Sequence, residues 1–216
     1  MTVALERDGG VSLAVIDDGK ANALSFEVIA GLRSALDAAV DADNPLVIVG
    51  RDGYFSAGFD LNVMRSGDRD LVSSLAGQGT TLFQEMFAAP VPVLAACTGH
   101  ALAAGALLLL AADYRIGRPG IYQVGLNETR IGIALPQFAI DMARFRLSTN
   151  HLIAATVLAT VVQPDQACDF GYLDRLAEDP RSAAHSSAEE LASAGLKALA
   201  RTKRRMNAEI VRQLGT

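Results

Sequence analysis

GHALAAGALLLLAAD, residues 99–113, decides how this chain folds. The apolar, strand-like run 92–97 leads into it, and an apolar helical run over 103–112 leads out. Gly99, Ala101, Ala103, Ala104 and Gly105 keep the side chains at this junction mostly small, so a ligand can come close to bare backbone amides at the start of a helix. FSAGFD, residues 55–60, has the same character and follows the short apolar strand 46–49 through Arg51-Asp52-Gly53. Two such turns imply a site in which main-chain N–H groups grip an oxyanion.

The rest of the chain alternates in the same way. Residues 3–7 and 11–16 read as strands around an Asp8-Gly9-Gly10 turn. After the loop DDGKANAL, Ser25 is positioned to cap an amphipathic helix reaching about residue 42. A helix over 69–89 is stopped by Pro90. Short strands are expected at 114–116 and 121–124, and helices at 136–145 and at 148–159, the latter capped by Ser148. Strands alternating with helices predict an α/β fold with crossover connections. The alanine-rich stretch 181–214 is helical by propensity.

Composition narrows the function. The 216 residues suit one domain with a sizeable core, and 50% hydrophobic against 20% charged residues excludes a disordered chain. A net charge of −5 gives no footprint for nucleic acid. The longest apolar run, 101–112, is well short of the ~20 residues needed to span a bilayer. With no signal-like N-terminal segment, a cytoplasmic protein without membrane contact is expected. Two cysteines, Cys97 and Cys168, form neither a disulfide framework nor a metal cluster, and both read as buried small hydrophobes. From Lys197 onward six basic residues face one acid, Glu209, which reads first as a solvated helix face. Contact with an anionic ligand or a second subunit stays open. Rival chemistries lack their motifs: Gly53, Ser56 and Gly58 miss the G-x-S-x-G spacing by one residue, and no phosphate loop or clean G-x-G-x-x-G occurs.

The two turns, in this order and each after a strand, resemble the crotonase (enoyl-CoA hydratase/isomerase) family. The resemblance covers about residues 3–205. It implies a crotonase-like (ClpP/crotonase) spiral of repeated ββα units, with a core over 1–180 and a C-terminal helical segment over 181–216 that closes the site or joins subunits. It further implies an acyl-CoA substrate, no separate cofactor beyond the coenzyme A carried by that substrate, no metal, and a homotrimer or dimer of trimers. In the family's A-G-x-D turn, here Ala57-Gly58-Phe59-Asp60 followed by Leu61, the variable residue gives the first oxyanion N–H, which falls on Phe59. The family's G-x-A-x-G-G-G pattern places the second on Ala104. This chain has Ala103 and Ala104 where glycines are frequent, and keeps Gly105. Asn22-Ala23-Leu24 resembles the family's N-A-L segment, which shapes the coenzyme A site, and Lys20 precedes it within reach of a phosphate.

Hydrating an enoyl thioester is best served by two carboxylates sharing one water. By the resemblance, the later carboxylate falls on Glu128, in Asn127-Glu128-Thr129-Arg130-Ile131-Gly132. The earlier one falls on Leu107, which cannot titrate. One carboxylate in apolar surroundings suits a proton shuttle that moves a double bond, with Glu128 first base and then acid, its pKa raised by neighbours such as Leu107. Hydration would need another acid, for which Asp68, Asp70 and Glu85 are candidates without a motif. A catalytically silent acyl-CoA-binding protein is the alternative outside enzymes. Leu71, Leu75, Leu82, Phe83 and Met86 read as helix packing or an acyl tunnel, Asp113 and Arg115 as structural, and His100 as a packed histidine. His151 and His185 show no companions in the sequence.

Overall fold

A computed structural model describes residues 2–215. Its larger sheet has six strands in the order β1-β2-β3-β5-β7-β9: β1 (Val3–Asp8), β2 (Val11–Ile16), β3 (Leu46–Val49), β5 (Val93–Cys97), β7 (Tyr114–Gly117) and β9 (Arg175–Leu176). Only β1 and β2 are antiparallel, joined at Gly9, whose φ of +57° suits a tight hairpin. Every other pair in this sheet is parallel.

The parallel strands are buried on both faces, which explains why they read as continuous apolar runs. Leu46, Ile48, Val93, Ala95 and Cys97 face the main core, with α1 (Phe26–Asp41), α3 (Arg69–Ala88) and α4 (Ala104–Ala111). Val47, Val49, Leu94 and Ala96 face the other way, where α8 (Pro180–Ala194) lays down Ala184 and Ala188. Those two alanines, one turn apart, present a flat helix face to the sheet.

A second sheet, β4 (Gly53–Ser56), β6 (Gly99–Leu102) and β8 (Val124–Gly125), is parallel throughout. Neither β4 nor β6 was expected as a strand, because each is short and holds a glycine where a pairing side chain would stand. Gly99 is needed there: a Cβ on it would lie 2.0 Å from the Gly53 carbonyl carbon. The strand expected at 121–124 contracts to β8. This small sheet proves to be the frame of the site.

Other elements refine the reading. Ser25 caps α1 as expected, its Oγ accepting from the Val28 N–H at 3.2 Å, and α3 ends two residues before Pro90. Ser148 does not cap a helix: its N–H donates to the Phe170 carbonyl and its own carbonyl closes a turn onto His151. The helix there is only α6 (Leu152–Thr156), and left-handed Ala159, at φ +47°, turns the chain away. Helix α7 (Pro164–Phe170) follows, with proline at its first position. The alanine-rich end breaks at Gly195 and Asn207 into α8, α9 (Leu196–Met206) and α10 (Ala208–Leu214).

Several side chains have partners the sequence did not disclose. Lys203 is no part of a solvated face: it is buried and paired with Asp113 at 2.6 Å. Arg115 forms a two-pronged pair with Asp174, at 2.9 and 2.7 Å. His151 stacks on Phe170, and His185 lies between Asp8 and Glu189. His100 packs between Tyr54 and Tyr122, as its reading held. Cys97 is fully enclosed and its thiol pKa is pushed up to about 12 by burial, whereas Cys168 is only half-buried. Leu75, Leu82, Phe83 and Met86 belong to the core, while Leu71 is exposed. Among the described residues no helix is long and apolar enough to cross a membrane.

Candidate active site

The three strands of the small sheet end on the three candidate groups. β4 runs into Ala57-Gly58-Phe59-Asp60, β6 into Ala103-Ala104-Gly105, and β8 into Leu126-Asn127-Glu128. Because the strands are parallel, all three segments leave from the same edge, the carboxyl end of the sheet.

Asn22-Ala23-Leu24 runs alongside the first turn like an added strand. The Leu24 N–H donates to the Gly58 carbonyl at 2.8 Å, and the Asp60 N–H donates to the Leu24 carbonyl at 3.3 Å. Such bonds bracket Phe59, so its own N–H faces the opposite edge, the side of the second turn. Asn22 organises this arrangement from inside. It is buried at φ +53°, and its amide donates to the Ile16 and Tyr54 carbonyls at 2.8 and 3.1 Å. Asp18 ties the loop by accepting the Lys20, Asn22 and Ala23 N–H groups. Lys20 itself is exposed at the rim, its carbonyl taken by Arg51. Asp60 caps the short helix α2 (Leu61–Met64), accepting the Asn62 N–H at 2.8 Å, and Leu61 is exposed.

Close backbone approach joins the two turns. A Cβ on Gly58, which sits at φ +96°, would fall 2.9 Å from the Ala103 Cβ and 3.2 Å from the Ala104 nitrogen. A Cβ on Gly105 would lie 2.2 Å from the Ser56 carbonyl oxygen, so the retained glycine is the one that the packing cannot spare. At the start of α4 the Ala106 and Leu107 N–H groups both return to the Ala103 carbonyl. The Ala104 and Phe59 N–H groups have no protein acceptor among the described residues. Two free donors on adjoining turns, one of them at the positive end of a wholly buried helix, can hold a developing negative charge.

Ala103 takes the conformation usually left to glycine, φ +52° and ψ −126°. A non-glycine residue held there costs about 1–3 kcal/mol. Ala103→Gly is therefore expected to stabilise the fold by about 1 kcal/mol after the larger unfolded-state entropy of glycine is deducted. A thermal melt should show Tm raised by roughly 2–4 °C; a lowered Tm would show that the alanine is unstrained.

β8 is linked to the second turn by the Ala103 N–H, which donates to the Gly125 carbonyl at 3.0 Å. Three residues on, Glu128 opens a single turn of 3-10 helix (Glu128–Ile131). Its Oε2 is closed off from solvent without a hydrogen-bond partner among the described residues. Burial raises its pKa above the usual glutamate value, outweighing the backbone N–H groups of Glu128 and Asn127 that pull it down. Nearby Tyr172 is enclosed, its hydroxyl accepting the Leu126 N–H at 3.3 Å, and its pKa is raised chiefly by burial and further by the Glu128 charge.

No second carboxylate accompanies it from the candidates considered. Leu107 is buried on α4, one turn beyond Ala104. Glu85 is held by the Arg33 guanidinium at 2.7 and 2.5 Å, and Asp68 caps α3. Asp70 is exposed in the first turn of that helix. Sequence reasoning missed the buried Tyr172 behind Glu128; nothing in Gly171-Tyr172-Leu173 marks it. It also missed a groove of about 380 Å³ beginning at Thr129 and lined by Leu135, Ile140, Leu152, Ile153 and Val157.

The two sheets and the helices packed on them form the crotonase fold. The enoyl-CoA hydratase/isomerase family model matches residues 6–216, and the chain belongs to that family. An enoyl-CoA hydratase/isomerase family protein of Pseudomonas syringae superposes with a TM-score of 0.96 at 35% identity, covering 99% of this chain and 94% of that one. The peroxisomal enoyl-CoA delta isomerase 2 of Arabidopsis thaliana is 26% identical over 81% of this chain and 77% of its own length. A probable enoyl-CoA hydratase of Bacillus subtilis is 36% identical over 63% of this chain, which spans about half of that protein (54%).

Proposed function

We propose that the protein is an enoyl-CoA isomerase that moves a double bond from the 3 to the 2 position of an acyl-CoA thioester. The observation that carries this reading is a half-buried carboxylate with one enclosed, unpartnered oxygen, Glu128, on the same sheet edge as two unpaired amides, with buried Leu107 at the position the resemblance gives to a second acid. The thioester oxygen lies between the Phe59 and Ala104 N–H groups. Glu128 takes a proton from C2, the electron pair spreads to that oxygen and along the chain, and the same carboxyl returns the proton at C4. Atoms and charge balance without water. Ala23, Leu24 and the rim residue Lys20 contribute to holding the coenzyme A moiety, and Ala57, Gly58, Asp60 and Gly105 shape the turns.

Turnover of a 3-enoyl-CoA to the conjugated 2-enoyl-CoA, followed in deuterated water, tests this directly. Rapid conversion of a 2-enoyl-CoA to the 3-hydroxyacyl product would instead make the protein a hydratase. Tight acyl-CoA binding with no turnover of either substrate would make it a silent binder. Leu107→Glu is expected to give hydration above the wild-type level, because it restores a second carboxylate one helical turn from the Ala104 amide; no gain would count against assigning Leu107 to that role.

We further propose a homo-oligomer of trimeric type. Ile131, Ile153, Val157 and Leu158 are all more than half exposed close to the groove, which is more apolar surface than an isolated subunit commonly leaves in one place. Light scattering on the purified protein should give three or six chain masses, and a monomer would overturn it.

A further inference from the structure

α3 carries two glycines in its interior, Gly77 and Gly79, each costing about 0.5–1 kcal/mol relative to alanine. Their surroundings differ. A Cβ on exposed Gly77 would meet nothing within 4 Å. A Cβ on buried Gly79 would stand 2.6 Å from Cε1 and 2.7 Å from Cζ of the Phe59 ring. The ring edge thus rests on bare helix backbone, at a place where any side chain would displace it.

The backbone of Phe59 is secured on one side only. The bonds between Leu24 and residues 58 and 60 hold the strand-like edge, while the preceding residue, Gly58, is the most permissive residue type there is and sits at φ +96°. The planar Gly58–Phe59 peptide that carries this N–H is held through its carbonyl by one bond, from the Leu24 N–H, and a tilt of that plane would move the Phe59 N–H relative to the Ala104 N–H. The ring seated on α3 supplies the second point of attachment. We propose that Gly79 is a positioning residue for the reaction: by giving the Phe59 ring its seat, it fixes the direction of the Phe59 N–H toward the thioester oxygen. The inference rests on the oxyanion reading given above.

Because such a donor counts only when charge develops on the oxygen, the effect belongs in kcat rather than KM. Gly79→Ala is expected to lower kcat on a 3-enoyl-CoA roughly tenfold at nearly constant KM. Gly77→Ala, which makes the same change in helix propensity without the contact, should leave kcat at the wild-type level. In a Phe59→Ala background, where no ring remains to be displaced, Gly79→Ala should have no further effect on kcat. Equal kcat for the Gly79 and Gly77 variants, or an undiminished Gly79→Ala effect without the ring, would overturn the proposal. Should the single variant fail to fold, Phe59→Leu withdraws the ring and keeps the N–H. A lowered kcat at unchanged KM then supports the seat, and an unchanged kcat overturns it. Absence of wild-type turnover would defeat the function proposed above, whereas turnover lost in Glu128→Gln but indifferent to the seat would defeat this inference alone.

Discussion

Replacing Glu128 with glutamine is expected to lower kcat by about 10²–10⁴-fold and, at the same time, to raise Tm. The first effect follows from removing the group that both takes and returns the proton, since a positioned acid or base is commonly worth that factor. The second follows from burial. The Oε2 atom is enclosed without a partner, and the raised pKa says that ionised Glu128 is less comfortable in the folded protein than in the unfolded chain. A folded pKa above the unfolded one means that the native state binds more protons between the two values, so stability falls as pH rises through that window. Above the window the whole penalty is present, and a neutral amide avoids it. It is this charge penalty that glutamine removes, and each kcal/mol of it moves Tm by roughly 2–4 °C in a chain of this size. Wild-type kcat/KM should fall on the acid side with a limb above pH 4.5, the ordinary value for glutamate, because the base works only when ionised. A glutamine variant that retained activity would sink the assignment; one that lost both activity and stability would show that the carboxylate is structural.

The same enclosure explains which parts of the site could be read from sequence. Ala57-Gly58-Phe59-Asp60 and Gly99–Gly105 were legible because backbone approach leaves a signature of small residues, and the distances at Gly58 and Gly105 supply its physical reason. Glu128 was legible only through the resemblance, since nothing in Asn127-Glu128-Thr129 announces an acid with an enclosed, unpartnered oxygen. The six-stranded sheet was foreshadowed by apolar runs such as Leu46–Val49, buried on both faces. The three-stranded sheet was not, because its strands are short, hold glycines and carry no apolar run of their own, and pair within the sheet only with partners 23 to 46 residues away. Asp68, Asp70 and Glu85 show the converse limit: a carboxylate's engagement with a helix end or with Arg33 depends on contacts that no spacing rule reveals.

Lys203→Met is expected to destabilise the protein by about 3–5 kcal/mol, the usual cost of removing one partner from a buried ion pair. In the sequence Lys203 is one of a run of basic residues in a helix of strong amphipathic character. In the structure its side chain is 5% exposed, and its ammonium donates to Asp113 Oδ2 at 2.6 Å and to the Val91 carbonyl at 3.0 Å. The same Asp113 oxygen accepts the Val93 N–H at 2.9 Å, so this one pair fastens α9 to the start of β5. Burial lowers the Lys203 pKa in spite of the nearby carboxylate, which shows that desolvation outweighs the attraction. The pair is therefore costly to keep and costlier to break. Methionine fills the channel but leaves Asp113 charged, with Arg146 at 3.7 Å as its remaining cation, and leaves the Val91 carbonyl without its donor. Adding Asp113→Asn should recover part of the loss, since the amide oxygen still accepts from Val93 and no unpaired charge remains. Thermal melts of the two variants separate the possibilities: a single variant within about 2 °C of wild type would show that the ammonium is not needed, and a double variant lower than the single would show that the Asp113 charge serves something other than Lys203.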